Sequence, residues 1–483
     1  MNTLPSARVH LSGYALALML LVPAGAQAHS FGRVLALPMP LWLYIYGSTA
    51  ALVLSFAVLA MSPESRWRAA ANIGGMNSGV QPNAAPLVVQ AAIGAAFTLA
   101  VVAGMLGTPN PYRNFSMTFF WVAFVLGGYY LCAVFGDVAM ALNPWHALLT
   151  RWPSSRRAFD TTSLFHAPAL ALYMGFIAFE LFGPGTPHSL AWALLGYTGI
   201  TMAGSLLVGA ERWLEHGEFF SLLFRIAARM SPLEWRSSST GRRGFAWRSS
   251  IASLVSAEAP DFGVALFILF MIASTTFDGL KETVAWNALY WQKLAPLMAP
   301  LVGSNIARAY PTLSALQTVL NAVALLFSPL VYLAACSIAL KLSLRLEGWP
   351  HRYRPSLGAA ILAFVPSLIP IAIAYNAAHY FTLLLGQGPQ LAPLLADPFG
   401  WRLGATAMRV ALPSPTVAWH IDVGLIVGGH VLSMIAWHRR ASREANDAAR
   451  GPLAQVPMLL LMMLLTASGL WVLAQPVSPS RLL

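Results

Sequence analysis

Ionisable residues inside or at the ends of long apolar stretches are the first candidates for chemistry in this sequence. Asp278, His379, His420 and Asp422 stand at or near the ends of such stretches, and His430 stands in the middle of one. A titratable side chain among apolar neighbours costs free energy, so such residues usually pair, bind ions or move protons. Histidine and aspartate together can activate water, and both bind metals.

The candidates separate into two overlapping sets. The preferred catalytic residues are His379, Asp278 and Asp422, and the candidate metal ligands are His29, His379, His420 and His430. Imidazole nitrogen favours a borderline divalent metal, here zinc or copper. Plainer roles stay open, namely an interhelical hydrogen bond for His379 and capping at a helix end for Asp278, His420 and Asp422.

His29 follows the segment Ala26-Gln27-Ala28, which has the A-x-A pattern of a signal-peptide cleavage site. Cleavage there would make His29 the first mature residue, offering its α-amino and ring nitrogens together to a metal. A terminal histidine with no ligand role is the alternative. The sequence therefore predicts a signal peptide over residues 1–28 and one transmembrane domain over 29–483.

The stretch around His379 carries a second signal. Pro366 and Pro370 stand just before Tyr375 and His379, which share one helix face because they are four residues apart. Proline breaks the helical hydrogen-bond ladder and kinks the helix. A kink followed by polar residues is typical of a helix that lines a cavity. Glu180, which ends another apolar stretch, is expected to be solvated.

The elements that must position these residues are membrane spans. Of the 483 residues 57% are hydrophobic and 10% charged, too few charges for the surface of a soluble globule. We predict an all-α polytopic transmembrane helical bundle of about ten spans. The predicted spans are 41–61, 86–107, 115–137, 168–183, 189–209, 261–277, 315–340, 357–385, 416–437 and 455–474.

The distribution of basic residues along the chain predicts the orientation of this bundle. The net charge of +12 does not indicate nucleic-acid binding, because the basic residues are spread over turns between apolar runs. Arginines concentrate in alternate loops, which places those loops in the cytoplasm and both mature termini outside it. We expect the bacterial inner membrane. The cytoplasmic segment 210–259 is predicted to form an interfacial amphipathic helix.

Several stretches resemble a bacterial family of multi-pass membrane proteins that includes fenitrothion hydrolase, a membrane-bound organophosphate hydrolase of two components. They are 29–33, 37–44, 277–280, 374–380, 397–400 and 428–430, with Asn376 where a histidine is expected. The resemblance implies cleavage of small apolar phosphotriesters by metal-activated water near the periplasmic face, with a second membrane subunit as partner. A permease or metal-handling protein, and a non-catalytic assembly subunit, are the alternatives. The common motifs of soluble hydrolases and P-loop enzymes are absent from the sequence.

Overall fold

The computed structural model describes residues 39–61, 87–149, 166–237, 243–257, 259–302, 306–346, 355–402, 408, 410–444 and 452–475. The predicted signal peptide and His29 lie outside this part of the chain. The described residues form a helical bundle with one short hairpin, in which β1 (Leu233–Ser237) pairs antiparallel with β2 (Arg243–Trp247). The predicted fold class, an all-α polytopic bundle, is confirmed.

Within the described residues, ten helices of the bundle each overlap one predicted span. They are α1 (Leu41–Met61), α2 (Leu87–Leu106), α3 (Phe115–Phe135), α4 (Ala167–Phe182), α5 (Pro187–Val208), α6 (Phe262–Lys281), α7 (Ile306–Leu346), α8 (Leu357–Ala396), α9 (Pro415–Glu444) and α10 (Val456–Ala474). Among the described residues, nine of these helices are long and apolar enough to cross a membrane. The exception is α4, with 16 residues. Apolar runs become helices in lipid because the backbone must satisfy its own hydrogen bonds.

Two helices depart from regular α geometry, and both border the candidate site. In α8 a 3-10 turn occupies Val365–Leu368, where Pro366 and Pro370 were expected to interrupt the helix. In α3 the ten residues Thr118–Gly127 are π-helical, which the sequence did not indicate. Short π-helical bulges occur often at functional sites, and a run of ten residues is unusual.

The prediction of an interfacial amphipathic helix within 210–259 is wrong. Its apolar part forms the helix Phe219–Ala228, which lies inside the bundle, and Phe219, Phe220 and Phe224 are almost fully buried. Glu218 explains the burial, because its carboxylate caps the helix and accepts hydrogen bonds from the backbone N–H groups of Phe220 and Ser221. The same carboxylate accepts from the side chains of Asn143 and Tyr197. A buried carboxylate with this many donors is stable inside a bundle.

Contacts between loops define the two ends of the bundle. At one end the loop 107–114 meets the loop 397–400, where the N–H of Thr108 donates to the carbonyl of Phe399 at 2.8 Å. At the other end His166 Nδ1 lies 2.5 Å from Asp261 Oδ2, joining the starts of α4 and α6. We call these the outer and the inner end, following the predicted orientation.

Candidate functional site

Asp278 is the centre of a polar cluster near the outer end of α6, the helix that lies deepest in the bundle. Its side chain is 5% exposed, and its Oδ2 lies 2.7 Å from Nε2 of His379 on α8. Its other oxygen, Oδ1, lies 3.1 Å from Nζ of Lys281, one helical turn further along α6. Lys281 also contacts Glu282. The carboxylate is thus held between an imidazole and an ammonium group, so its charge is compensated inside the membrane.

Two further hydrogen bonds extend the cluster. The hydroxyl of Tyr380 donates to Glu180 Oε1 at 2.7 Å, and the hydroxyl of Tyr130 donates to Asn376 Oδ1 at 2.7 Å. Glu180 also interacts electrostatically with Asp278. Glu180, expected to be solvated, is in fact half-buried and part of the site. The cluster therefore contains three carboxylates, an imidazole, an ammonium group, an amide and two phenols.

Asp422 and His420, two residues apart on α9, point in different directions. The buried Asp422 interacts electrostatically with His379. His420 is exposed, with Nδ1 2.7 Å from the carbonyl oxygen of Thr416 and Nε2 3.5 Å from the hydroxyl of Tyr44. Residues two apart lie on different sides of a helix, which accounts for the separation. The structure brings Asp422 to the cluster and leaves His420 at the surface of the bundle.

His430 is fully buried deeper in the bundle, two turns further along α9 from Asp422. Its Nδ1 lies 2.8 Å from the carbonyl oxygen of Ile426, and the ring of Tyr375 packs against its imidazole at a centroid distance of 5.7 Å. His420 and His430 are ten residues apart on one helix, about 15 Å along its axis. They cannot share one metal ion in this arrangement.

The predicted metal ligands do not converge in the described part of the chain. There, no group of three His, Cys, Asp or Glu side chains is arranged to hold a metal ion. At Asp278, the ammonium group of Lys281 already supplies the positive charge that a bound metal would otherwise supply to the carboxylate. The residues present at the cluster do not fit a zinc or copper site. His29 is outside the described residues, so its predicted role as a ligand stays a prediction.

A cavity of about 150 Å³ opens beside the cluster, between α3, α4, α6 and α8. Its walls are mainly aromatic and aliphatic, and five of its lining residues come from the π-helical part of α3. The polar side chains at its wall include Tyr129, Glu180, Ser274, Thr275, Asp278, Asn376 and Tyr380. Apolar walls with a few convergent polar groups are typical of a small-molecule site. His379 lies behind Asp278 and is not among the lining residues.

The sequence singled out Asp278, His379 and Asp422, and the structure joins the first two by a hydrogen bond, with Asp422 in electrostatic interaction with His379. It missed the roles of Lys281, Tyr380 and Asn376. A local signal existed for two of them, because Asn376 and Tyr380 are four residues apart and both line the cavity from α8. No local signal connected Glu180 to Tyr380, which are 200 residues apart.

The arrangement can accept and pass protons at the wall of an apolar cavity. One side of the Asp278 carboxylate faces the cavity, and its other side contacts His379. A proton taken up by Asp278 at the cavity wall is therefore next to an imidazole that is hydrogen-bonded to the same carboxylate. A comparison with protein-family models, with curated proteins and with solved structures finds no match.

Proposed function

We propose that the chain is a membrane-embedded hydrolase subunit that cleaves small apolar esters, of the organophosphate triester type, in a bacterial cytoplasmic membrane. One observation carries the proposal: an acid–base cluster built on Asp278 stands at the wall of an apolar cavity inside a helical bundle. The stretches similar to the fenitrothion hydrolase family support the choice of reaction.

The chemistry of the substrate suits this place. A neutral aryl phosphotriester dissolves in lipid, and a cavity walled by Trp121, Phe176 and Phe179 takes up an aromatic group of this kind. Its phosphoryl oxygen needs a hydrogen-bond donor in the transition state. The Oδ1 of Asn376 is bound by Tyr130, and the amide nitrogen on the same side chain is the donor that we assign to this oxygen.

Water is the second reactant. In the proposed reaction the Asp278–His379 pair takes the proton from a water molecule at the cavity wall: Asp278 binds this proton at the oxygen that does not contact Nε2, and the hydrogen between Oδ2 and Nε2 stays in place. The water oxygen forms a bond to phosphorus, and the bond from phosphorus to the aryl oxygen breaks. The products are a phosphodiester acid and a nitrophenolate, which leaves as an anion and needs no general acid.

No step of this scheme uses a metal. The described residues of the cluster do not fit one, and the zinc or copper ion that the sequence predicted would depend on His29 or on residues of a companion subunit. A chelator separates the two versions of the proposal. With the chain's own residues as the base, a chelator leaves the rate unchanged, and with metal-activated water it abolishes the rate.

The test is nitrophenolate release by the purified protein in lipid vesicles, with a fenitrothion-type triester as the substrate. We expect release in proportion to the protein added, above the rate of protein-free vesicles. Repeating the assay with and without a chelator shows whether the attacking water is activated by the chain's own residues or by a metal. Absence of release from protein that is shown to be inserted would overturn the hydrolase proposal.

A permease is the second candidate, and a specific observation favours it. Glu180 and Asp278 line the cavity, and Lys281 and His379 contact Asp278 from behind the wall; titratable groups in spans often mark substrate or proton pathways. Uptake of the intact triester into vesicles without nitrophenolate release would select this candidate. Co-purification of a second membrane protein would test the proposed companion subunit.

A further inference from the structure

The buried face of α9 carries a row of polar atoms that runs through the bundle. Trp419, Asp422, His430, Ser433 and Trp437 each place a buried side-chain nitrogen or oxygen on this face. At 100° per residue, their spacing keeps all five within one narrow sector of the helix. From Trp419 to Trp437 the row is about 27 Å long, close to the thickness of a hydrocarbon core of about 30 Å.

These atoms have no hydrogen-bond partner among the described residues. They are Trp419 Nε1, Asp422 Oδ1, His430 Nε2, Ser433 Oγ and Trp437 Nε1. His430 and Ser433 are fully buried, and Asp422 is 5% exposed. A buried polar group without a partner is costly, and ordered water is the usual partner when protein groups do not supply one. Water molecules bound at these five atoms would satisfy them.

His430 has the chemistry of a relay at the middle of this row. Its Nδ1 lies at hydrogen-bond distance from the carbonyl of Ile426, and a carbonyl only accepts, so Nδ1 carries the hydrogen. In the neutral ring Nε2 is then an acceptor, and it is the atom without a hydrogen-bond partner among the described residues. The imidazole can take up a proton there and release it from the same atom, with no change at Nδ1.

The helices that surround His430 bring few charges to it. From α8 come Tyr375, whose hydroxyl donates to the carbonyl of Leu465, and His379 near Asp422. From α1, which also packs on α9, Tyr44 reaches His420. The sequences of α1 and α10 contain no charged residue. His430 is thus the titratable group nearest the middle of the face.

Both ends of the row reach groups that exchange protons. At the outer end Asp422 interacts with His379, which binds Asp278 of the cavity cluster. At the inner end His438 follows Trp437, and its Nδ1 lies 2.7 Å from Oε1 of Gln455. His430 is eight residues from Asp422 and eight from His438, about 12 Å along the axis in each direction.

We propose that the buried face of α9 is a proton path across the membrane, with Asp422 at its outer end and His430 as its central relay. Protons move between water molecules held along the row, and no other bond forms or breaks. This function goes beyond ester hydrolysis and does not depend on it. It would connect the acid–base cluster at the cavity with the inner side of the membrane.

The experiment is a proton-flux measurement with the full-length protein in sealed vesicles that contain a pH-sensitive dye. A potassium gradient and valinomycin impose a membrane potential, and the dye reports proton entry. The wild-type protein is expected to acidify the vesicles faster than the leak of protein-free vesicles. No substrate is present, so the outcome is independent of the hydrolase proposal.

Two variants test the relay. His430→Gln keeps hydrogen-bonding capacity without titration, and we expect its flux to fall to the leak of protein-free vesicles. Met434→Leu changes a buried apolar residue on the same helix and is the packing control, with flux expected to stay at the wild-type rate. A wild-type flux equal to the leak would overturn the path, and wild-type flux in His430→Gln would overturn the relay.

Discussion

At the scale of single residues, Asp278 links two environments. One side of the carboxylate stands at the wall of an apolar cavity, and the other side binds His379 and Lys281. An ionised carboxylate inside a bundle needs such partners because an unpaired buried charge is very costly. The sequence indicated Asp278 and His379 separately, since each is a titratable residue in a span. Their contact could not be predicted, because 101 residues separate them.

Replacing His379 by glutamine should reduce hydrolysis by about 10²–10⁴-fold, the usual effect of disabling an acid–base pair. Glutamine can still hydrogen-bond Asp278, so insertion and stability should change little. The pH–rate profile of the wild type should show the titration of an imidazole, and that inflection should be missing in His379→Gln. His188→Gln, in the first turn of α5, is the control, and a near-normal rate and profile in His379→Gln would remove His379 from the mechanism.

The pair Asp278–Lys281 predicts a stability effect. Asp278→Asn leaves the ammonium group of Lys281 in a buried position with one carboxylate fewer, and breaking a buried pair costs about 3 kcal/mol or more. We expect a lower midpoint in thermal unfolding of the detergent-solubilised protein. Adding Lys281→Met to Asp278→Asn removes the uncompensated charge and should recover most of the loss. Equal midpoints for the wild type and the single variant would show that the pair does not stabilise the fold.

At the scale of elements, the two irregular helices illustrate what a sequence can and cannot predict. The interruption of α8 follows from Pro366 and Pro370, because proline has a local and well-known effect on a helix. The π-helical part of α3 has no such residue, and it depends on the packing of α3 against its neighbours. The burial of the helix Phe219–Ala228 was not predicted for a related reason, since side chains from distant segments donate the hydrogen bonds that stabilise Glu218 at its start.

Helix packing around His430 depends on a glycine of α10. A Cβ atom at Gly469 would lie 1.8 Å from the hydroxyl of Tyr375, which packs against His430. Gly469→Ala should therefore displace Tyr375, break its hydrogen bond to Leu465 and lower stability by about 1–3 kcal/mol. On α9, a Cβ at Gly424 would meet nothing within 4 Å, so Gly424→Ala is the matched control. Thermal unfolding of both variants measures the difference, and equal midpoints would contradict the packing described for this face.

At the scale of the whole molecule, the sequence predicted the fold class and the approximate place of all ten helices. Apolar length alone determines these features, because lipid admits few other structures. The kink of α8 and the polar residues after it predicted a cavity at this helix, but the other walls could not be predicted, since they combine side chains from α3, α4 and α6 with no common local pattern. Three of the four predicted metal-binding histidines lie in the described residues, and they do not meet because His420 is exposed and His430 is buried about 15 Å further along α9.

The orientation of the bundle is a separate prediction. The concentration of arginines in alternate loops predicts that a reporter fused after Arg243 reads cytoplasmic and one fused after Gly388 reads periplasmic. Paired fusions to a reporter active only in the cytoplasm and to one active only in the periplasm measure this. The opposite pair of readings would invert the two ends of the bundle and place the cavity cluster on the cytoplasmic side.

Hydrolysis of an apolar triester by the cluster at the cavity wall is tested by one pair of proteins. Nitrophenolate release is measured for the wild type and for the Asp278→Asn/Lys281→Met double variant, both in vesicles and at equal amounts of inserted protein. We expect release by the wild type and none above the protein-free rate by the double variant, since the proton acceptor at the wall is gone while one negative and one positive charge are removed together. Release by the double variant at the wild-type rate would contradict it.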